Sequence, residues 1–205
     1  MKINSVIINR FNGLNITELN RYSGTIITFL VMLASVISGS LFYYQSNMIL
    51  KEKIAEIFTC FNEQFITRNK AEIFFSMLTL ALFYIILMLL SSTSIIGSLF
   101  VYSINFIKIS ALSIVVTHIY FVYGLRGLEY SLLVILPGKL FLLLSYLIIT
   151  DACIEITKNI RSVSLKHKSD VKNISVRVVT GVILSTLHVI TDYTVLTLFS
   201  GLFEF

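Results

Sequence analysis

The sequence predicts an all-α, polytopic integral membrane protein with about five transmembrane helices and an amphipathic extracytoplasmic helix, in a single membrane domain over 1–205. Three observations carry this. Of 205 residues 56% are hydrophobic and only 13% charged, and the mean hydropathy is +0.88. A soluble domain carries about a quarter charged residues, so this chain lacks the polar surface to face water. Its uncharged runs reach membrane-spanning length, as in Tyr22 to Tyr44 and Ile73 to Ile107. The basic residues are also unevenly placed, clustering before the first run and in 151–177.

Residues 1–21 hold Lys2, Arg10, Glu18 and Arg21 among polar residues. They are too long and mixed for a signal-peptide n-region, and the apolar run after them is too long for an h-region. The first transmembrane helix, 22–44, is therefore a retained anchor. Its 23 residues reach about 34 Å at about 1.5 Å each. Ser35 and Gly39 recur on one face, where small residues let helices approach closely.

Residues 45–72 hold four basic and four acidic side chains. Leu50, Ile54, Ile57, Phe58, Phe61 and Phe65 form one helical stripe, with Lys51, Lys53, Glu56 and Glu63 elsewhere. This predicts an outer amphipathic segment on the membrane surface or over the helix ends, offering that stripe to a partner or to lipid.

The uncharged run 73–107 is too long for one upright crossing. Ser91-Ser92-Thr93-Ser94 is a natural turn, which separates helices 73–90 and 95–121. Tyr123-Gly124-Leu125-Arg126-Gly127 reads as a loop before a fourth helix, 129–150, interrupted at Pro137. Residues 151–177, with six basic and three acidic side chains, read as a basic cytoplasmic loop. A fifth helix follows at 178–203. The positive-inside rule then sets the N-terminus in the cytoplasm and the C-terminus outside.

Lys108, Lys139 and Asp192 fall near the middle of their segments. An isolated charge there costs about 2.5–3.5 kcal/mol on insertion scales. The sequence therefore predicts that Asp192 pairs with Lys108 or Lys139 inside the bundle. Pro137 removes a backbone donor, predicting a kink or two half-helices, and Gly138 gives room for another backbone. His188 and Asp192 are four apart and share a helix face, so the same charges also suit proton relay or binding of an anion or lipid phosphate.

Several stretches resemble the stage II sporulation protein M family (the DUF95 group). They are "VISGSLFYY", the amphipathic segment after it, "SIIG" at Ser94–Gly97, "FIKIS", "YGLRGLEYSLLVILPGKLFLL", and the acidic Asp192 in the terminal helix. The family tends to show a glycine after the lysine, and here Ile109 stands there. The resemblance covers roughly Phe29 to the C-terminus. It implies a non-enzymatic scaffold of the bacterial cell membrane, acting with peptidoglycan hydrolases during engulfment in sporulation. Related proteins in circular-bacteriocin gene clusters imply the alternative, a subunit for bacteriocin maturation, export or immunity working with an ABC transporter.

Enzyme chemistry has little to stand on. His118, His167 and His188 are scattered, with no HExxH, nucleophile elbow, phosphate loop or paired catalytic carboxylates. A membrane peptidase built on Cys and His is the third class, but Cys60 falls outside and Cys153 at the inner edge. No metal or cofactor is expected, and no disulfide. The basic 151–177 segment is explained by positive-inside charge and anionic lipid without nucleic acid. Membrane lipids are the expected surroundings, and a homo-oligomer is compatible with the sequence.

Overall fold

The computed structural model describes residues 16–67, 69–161 and 168–199. Every element among them is helical: α1 (Ile16–Gln45), α2 (Met48–Thr67), α3 (Lys70–Ser92), α4 (Gly97–Tyr130), a π-helical turn (Ser131–Ile135), α5 (Leu136–Arg161) and α6 (Lys168–Phe199). Four helical stretches are long and apolar enough to cross a membrane: Gly24–Gln45, Lys70–Ser92, Gly97–Ile160 and Val171–Phe199. Burial departs from that of a water-soluble protein in its apolar outer surface and in the number of enclosed polar residues. Phe29, Leu30, Leu33, Ile37 and Leu41 of α1 face outward, while Thr28, Ser35, Asn105, Ser145, Thr150 and Ser185 are fully enclosed. That arrangement suits an apolar solvent.

The helix boundaries follow local chemistry. α1 stops where Ser46 donates its hydroxyl and its N–H to the Tyr43 carbonyl, and Asn47 Oδ1 accepts from the Leu50 N–H to begin α2. Asn69 caps α3 by accepting from the Ala71 N–H at 3.2 Å. The turn anticipated at 91–94 lies slightly later, at Thr93–Ile96, because Ser91 and Ser92 bond back to Leu87 and Leu89 and finish α3.

The 64-residue stretch Gly97–Ile160 is not one rod. Gly124 has φ 58° and ψ −129°, backbone angles that essentially only glycine adopts. A Cβ on Gly127 would overlap the Ile119 carbonyl oxygen and lie 2.9 Å from its carbon. Residues eight apart in a continuous helix are about 12 Å apart, so the chain reverses at Gly124. The expected loop 123–127 is thus compressed to a one-residue turn.

Pro137 neither ends nor splits its helix. The π-turn precedes it, with the Leu136 N–H bonded to the Ser131 carbonyl five residues back. The wider turn absorbs the proline ring and its missing donor while the backbone stays helical. α5 then runs to Arg161, and α6 begins at Lys168. The predicted loop 151–177 is therefore largely helical extension, with 162–167 outside the described residues.

Cross-helix bonds set the directions. Ser38 meets Ser110, Ser40 meets Ser113, and Tyr43 meets His118, so α1 and α4 run parallel. Arg177 meets Asp151, Ser145 meets Gly181, and Lys139 meets Asp192, so α5 and α6 run antiparallel. Thr157 donates to the Ser92 carbonyl, and Phe74 stacks edge-on to Tyr193, placing α3 parallel to α5. Met32, Ile85, Met88, Val101, Ile109, Tyr146 and Ile149 pack the centre. One end of the bundle gathers Gly24, Ser92, Thr157 and Arg177. The other gathers Tyr43, His118, Tyr130 and Phe74.

Helix α2 lies over this second end. Phe58 packs on the Ile119–Tyr130–Val134 cluster, and its ring is 5.9 Å from that of His118. Leu50, Ile54 and Phe58 are half-buried, but Ile57 is 70% exposed and does not share their face. Lys51 takes the vacant inward position, its ammonium 5.0 Å from the Phe121 ring centre and 5.5 Å from that of Tyr43. The side chains of Phe61 and Phe65 lie outside the described residues.

Candidate functional site

The buried charges converge on the seam between α5 and α6. Lys139 stands two residues after Pro137, where the π-turn hands over to regular helix. Its ammonium donates to Asp192 Oδ2 from across the seam. The Asp192 side chain is 6% exposed and that of Lys139 22%. The carboxylate is thus enclosed, while the longer lysine stem reaches a partly open edge. Gly138 makes the approach possible. A Cβ there would overlap Asp192 Oδ1 and lie 2.7 Å from Cγ and 3.3 Å from the Asp192 nitrogen.

His188 completes the cluster from one turn below Asp192. Its Nδ1 is 3.4 Å from Asp192 Oδ2, which is within ion-pair reach but too long for a well-made hydrogen bond. Lys108, the other lysine considered as a partner, does not reach Asp192. Its ammonium sits 4.0 Å from the centre of the Tyr84 ring on α3, a cation–π contact that stabilises a charge held away from water. The structure therefore brings Pro137, Gly138, Lys139, His188 and Asp192 together and leaves Lys108 on the α3–α4 side.

Two further polar assemblies join helices, each with only a partial sign in the residue pattern. Arg177 donates to Asp151 Oδ2 at 3.0 Å and to Glu155 Oε2 at 2.8 Å. Asp151 and Glu155 are four apart on one helix face, a spacing that signals a shared cation. All three side chains are roughly a third exposed, so this fork adds modest stability.

The second assembly is the hydroxyl ladder between α1 and α4. Ser113 donates to the Val36 carbonyl at 2.7 Å, Ser110 to the Ser35 carbonyl at 3.0 Å, and Thr117 to Ser40 at 3.1 Å. It ends where the Tyr43 hydroxyl meets His118 Nδ1 at 3.0 Å. The spacing of Ser35 and Gly39 was one sign of it. The partner serines on α4 gave none, since hydroxyl residues occur on any face of a membrane helix.

Among the described residues no three His, Cys, Asp or Glu side chains gather as a metal site. Cys60 is exposed and Cys153 buried. The chemistry within reach is ion pairing and hydrogen bonding across helix seams, with one imidazole beside one carboxylate. No family model, no curated protein and no solved structure matches this chain.

Proposed function

We propose that the chain is a non-enzymatic membrane scaffold of the stage II sporulation M type, organising peptidoglycan-remodelling partners at a bacterial cell membrane. One observation supports this most directly: the polar groups inside the bundle are mainly spent on one another. Lys139 engages Asp192, Arg177 engages Asp151 and Glu155, and the α1–α4 hydroxyls form a ladder. Such groups fix helix register, which a platform for other proteins needs. Helix α2, amphipathic and extracytoplasmic in this proposal, is the element offered to partners. Affinity purification of the detergent-solubilised protein from sporulating cells should recover wall hydrolases.

A second role, as a bacteriocin maturation, export or immunity subunit, is favoured by the enclosed His188–Asp192–Lys139 cluster. Recovery of an ABC-type ATPase without any wall hydrolase would select it and reject the scaffold.

Both roles rest on five crossings, with the Gly97–Ile160 stretch crossing twice about Gly124. The N-terminus and the Arg177 end are then cytoplasmic, and α2 and the C-terminus outside. Cys60 on α2 is exposed, and so is Lys158 near the Arg177 end. An impermeant thiol reagent should label Cys60 in intact cells. On a Cys60→Ala background, Lys158→Cys should be labelled only after permeabilisation. Labelling of both in intact cells would refute this topology.

A further inference from the structure

A buried polar atom without a hydrogen bond is costly in a membrane, because lipid offers no other partner. Five side-chain atoms stand in that position among the described residues: Asn105 Oδ1, Tyr146 Oη, Ser185 Oγ, His188 Nδ1 and Asp192 Oδ1. None of these residues is more than 7% exposed. Their placement is ordered. Ser185, His188 and Asp192 are spaced i, i+3 and i+7 on one face of α6. The register set by Ser145 with Gly181 and Lys139 with Asp192 puts Tyr146 level with the Gly181–Ser185 turn. Asn105 joins from α4, its amide nitrogen donating to Thr150 of α5. The unbonded atoms of α6 thus form a file from Ser185 to the Lys139–Asp192 pair, with Tyr146 and Asn105 set in the adjoining core. From Ser185 to Asp192 it covers about 10 Å at about 1.5 Å per residue.

Two independent features flank this file. At its Arg177 end, a cavity of about 250 Å³, broadly open at the protein surface, lies beside the same two helices, lined by Leu147, Ile148, Asp151, Arg177 and the exposed Val176 and Thr180. At its other end, α5 is entered through the π-turn and Pro137, irregularities at which helices bend and which recur at functional sites. The seam between is smooth at two levels, where Gly138 faces Asp192 and Gly181 faces Ile149.

We infer that the α5–α6 seam is a water-accessible path: α5 swings about the π-turn, the seam opens from the Arg177-end cavity, and water reaches the Lys139–Asp192 pair. The chemistry of the file selects water. An anion would meet the Asp192 carboxylate, and a metal cation would meet the Lys139 ammonium. Carbonyl and carboxylate acceptors alternating with hydroxyls and an imidazole suit a small molecule that donates and accepts. A purely structural seam needs the Lys139–Asp192 and Ser145–Gly181 bonds and nothing from Tyr146, Ser185 or His188. The inference does not depend on the scaffold role.

Cysteine accessibility in lipid vesicles tests it, in protein with Cys60 and Cys153 replaced by alanine. A small neutral methanethiosulfonate reacts with a thiolate, which forms only where water reaches. Ser185→Cys should react at least ten-fold faster than Ile183→Cys, placed on the outward face where Ile183 is 53% exposed. A smaller ratio overturns the path. If Ser185→Cys does not accumulate, Tyr146→Phe and Ser185→Ala decide. In a permanently dry seam, deleting an unbonded hydroxyl raises Tm, so a rise in either variant overturns the inference. An unchanged or lowered Tm in both upholds it.

Discussion

Replacing Asp192 with alanine should be the most damaging single change in the bundle. The Lys139 ammonium would lose its acceptor in the closed form of the α5–α6 seam, where the Asp192 side chain is enclosed. Removing one partner of a buried pair costs about 3–5 kcal/mol, because the other charge stays buried and uncompensated. For a protein of this size that corresponds to a Tm drop on the order of 10 °C, or failure to accumulate. Thermal unfolding in detergent, followed by size-exclusion, measures it. Replacing Lys139 and Asp192 together by leucine should recover most of the loss. Exchanging the two charges should recover part, since Gly138 leaves room for a carboxylate and none for a lysine stem at the same point. An Asp192→Ala protein as stable as the parent would show that the pair does not hold α5 to α6.

Gly39→Ala should be the second. A Cβ at Gly39 would stand 2.5 Å from the Ser110 carbonyl oxygen, 3.1 Å from its carbon and 2.9 Å from Ser113 Cβ. These obstacles are backbone and the root of a side chain, so no rotamer change relieves them. α4 must move off α1, which breaks the Ser38–Ser110 and Ser40–Ser113 bonds. Overpacking of this kind costs about 1–3 kcal/mol, and the lost interhelical bonds add about 0.6 kcal/mol each. Gly24→Ala on the same helix is the control. Its nearest neighbour would be Asp151 Oδ1 at 3.3 Å, a side-chain tip that can give way. Equal stability of the two variants would mean that the α1–α4 approach is looser than the bond lengths indicate.

Both variants act at points where chemistry and backbone geometry meet, and they mark the limit of what residue order can reveal. The position of Lys139 and Asp192 within long apolar runs was legible, and with it the need for a partner, because charge inside such a run is costly in lipid. Which lysine Asp192 takes was not. Lys108 and Lys139 both fall near the middle of their apolar segments, and the choice depends on which faces α4 and α5 turn toward α6. The partner that Lys108 finds, the Tyr84 ring, is an uncharged residue among many aromatics. Pro137 signalled an irregularity, but the π-turn before it arises from hydrogen-bond slippage that no residue type announces. On α2 the structure half-buries Leu50, Ile54 and Phe58 of the expected stripe and exposes Ile57. The face a helix buries is set by what it lies on, here Tyr43, His118 and Phe121.

What the sequence determined alone is the helical class of the chain and its membrane-compatible apolar character. Too few charges for water, and apolar runs of spanning length, leave helices as the form that satisfies every backbone group within its own segment. What only the tertiary structure decided is which polar groups meet: the hydroxyl ladder of α1 and α4, the Arg177 fork, and the Lys139–Asp192 contact over Gly138. Lipid supplies no hydrophobic force between helices, so close approach and interhelical bonds select the neighbours. Those are properties of pairs of surfaces, and residue order along one chain specifies each surface without specifying its mate.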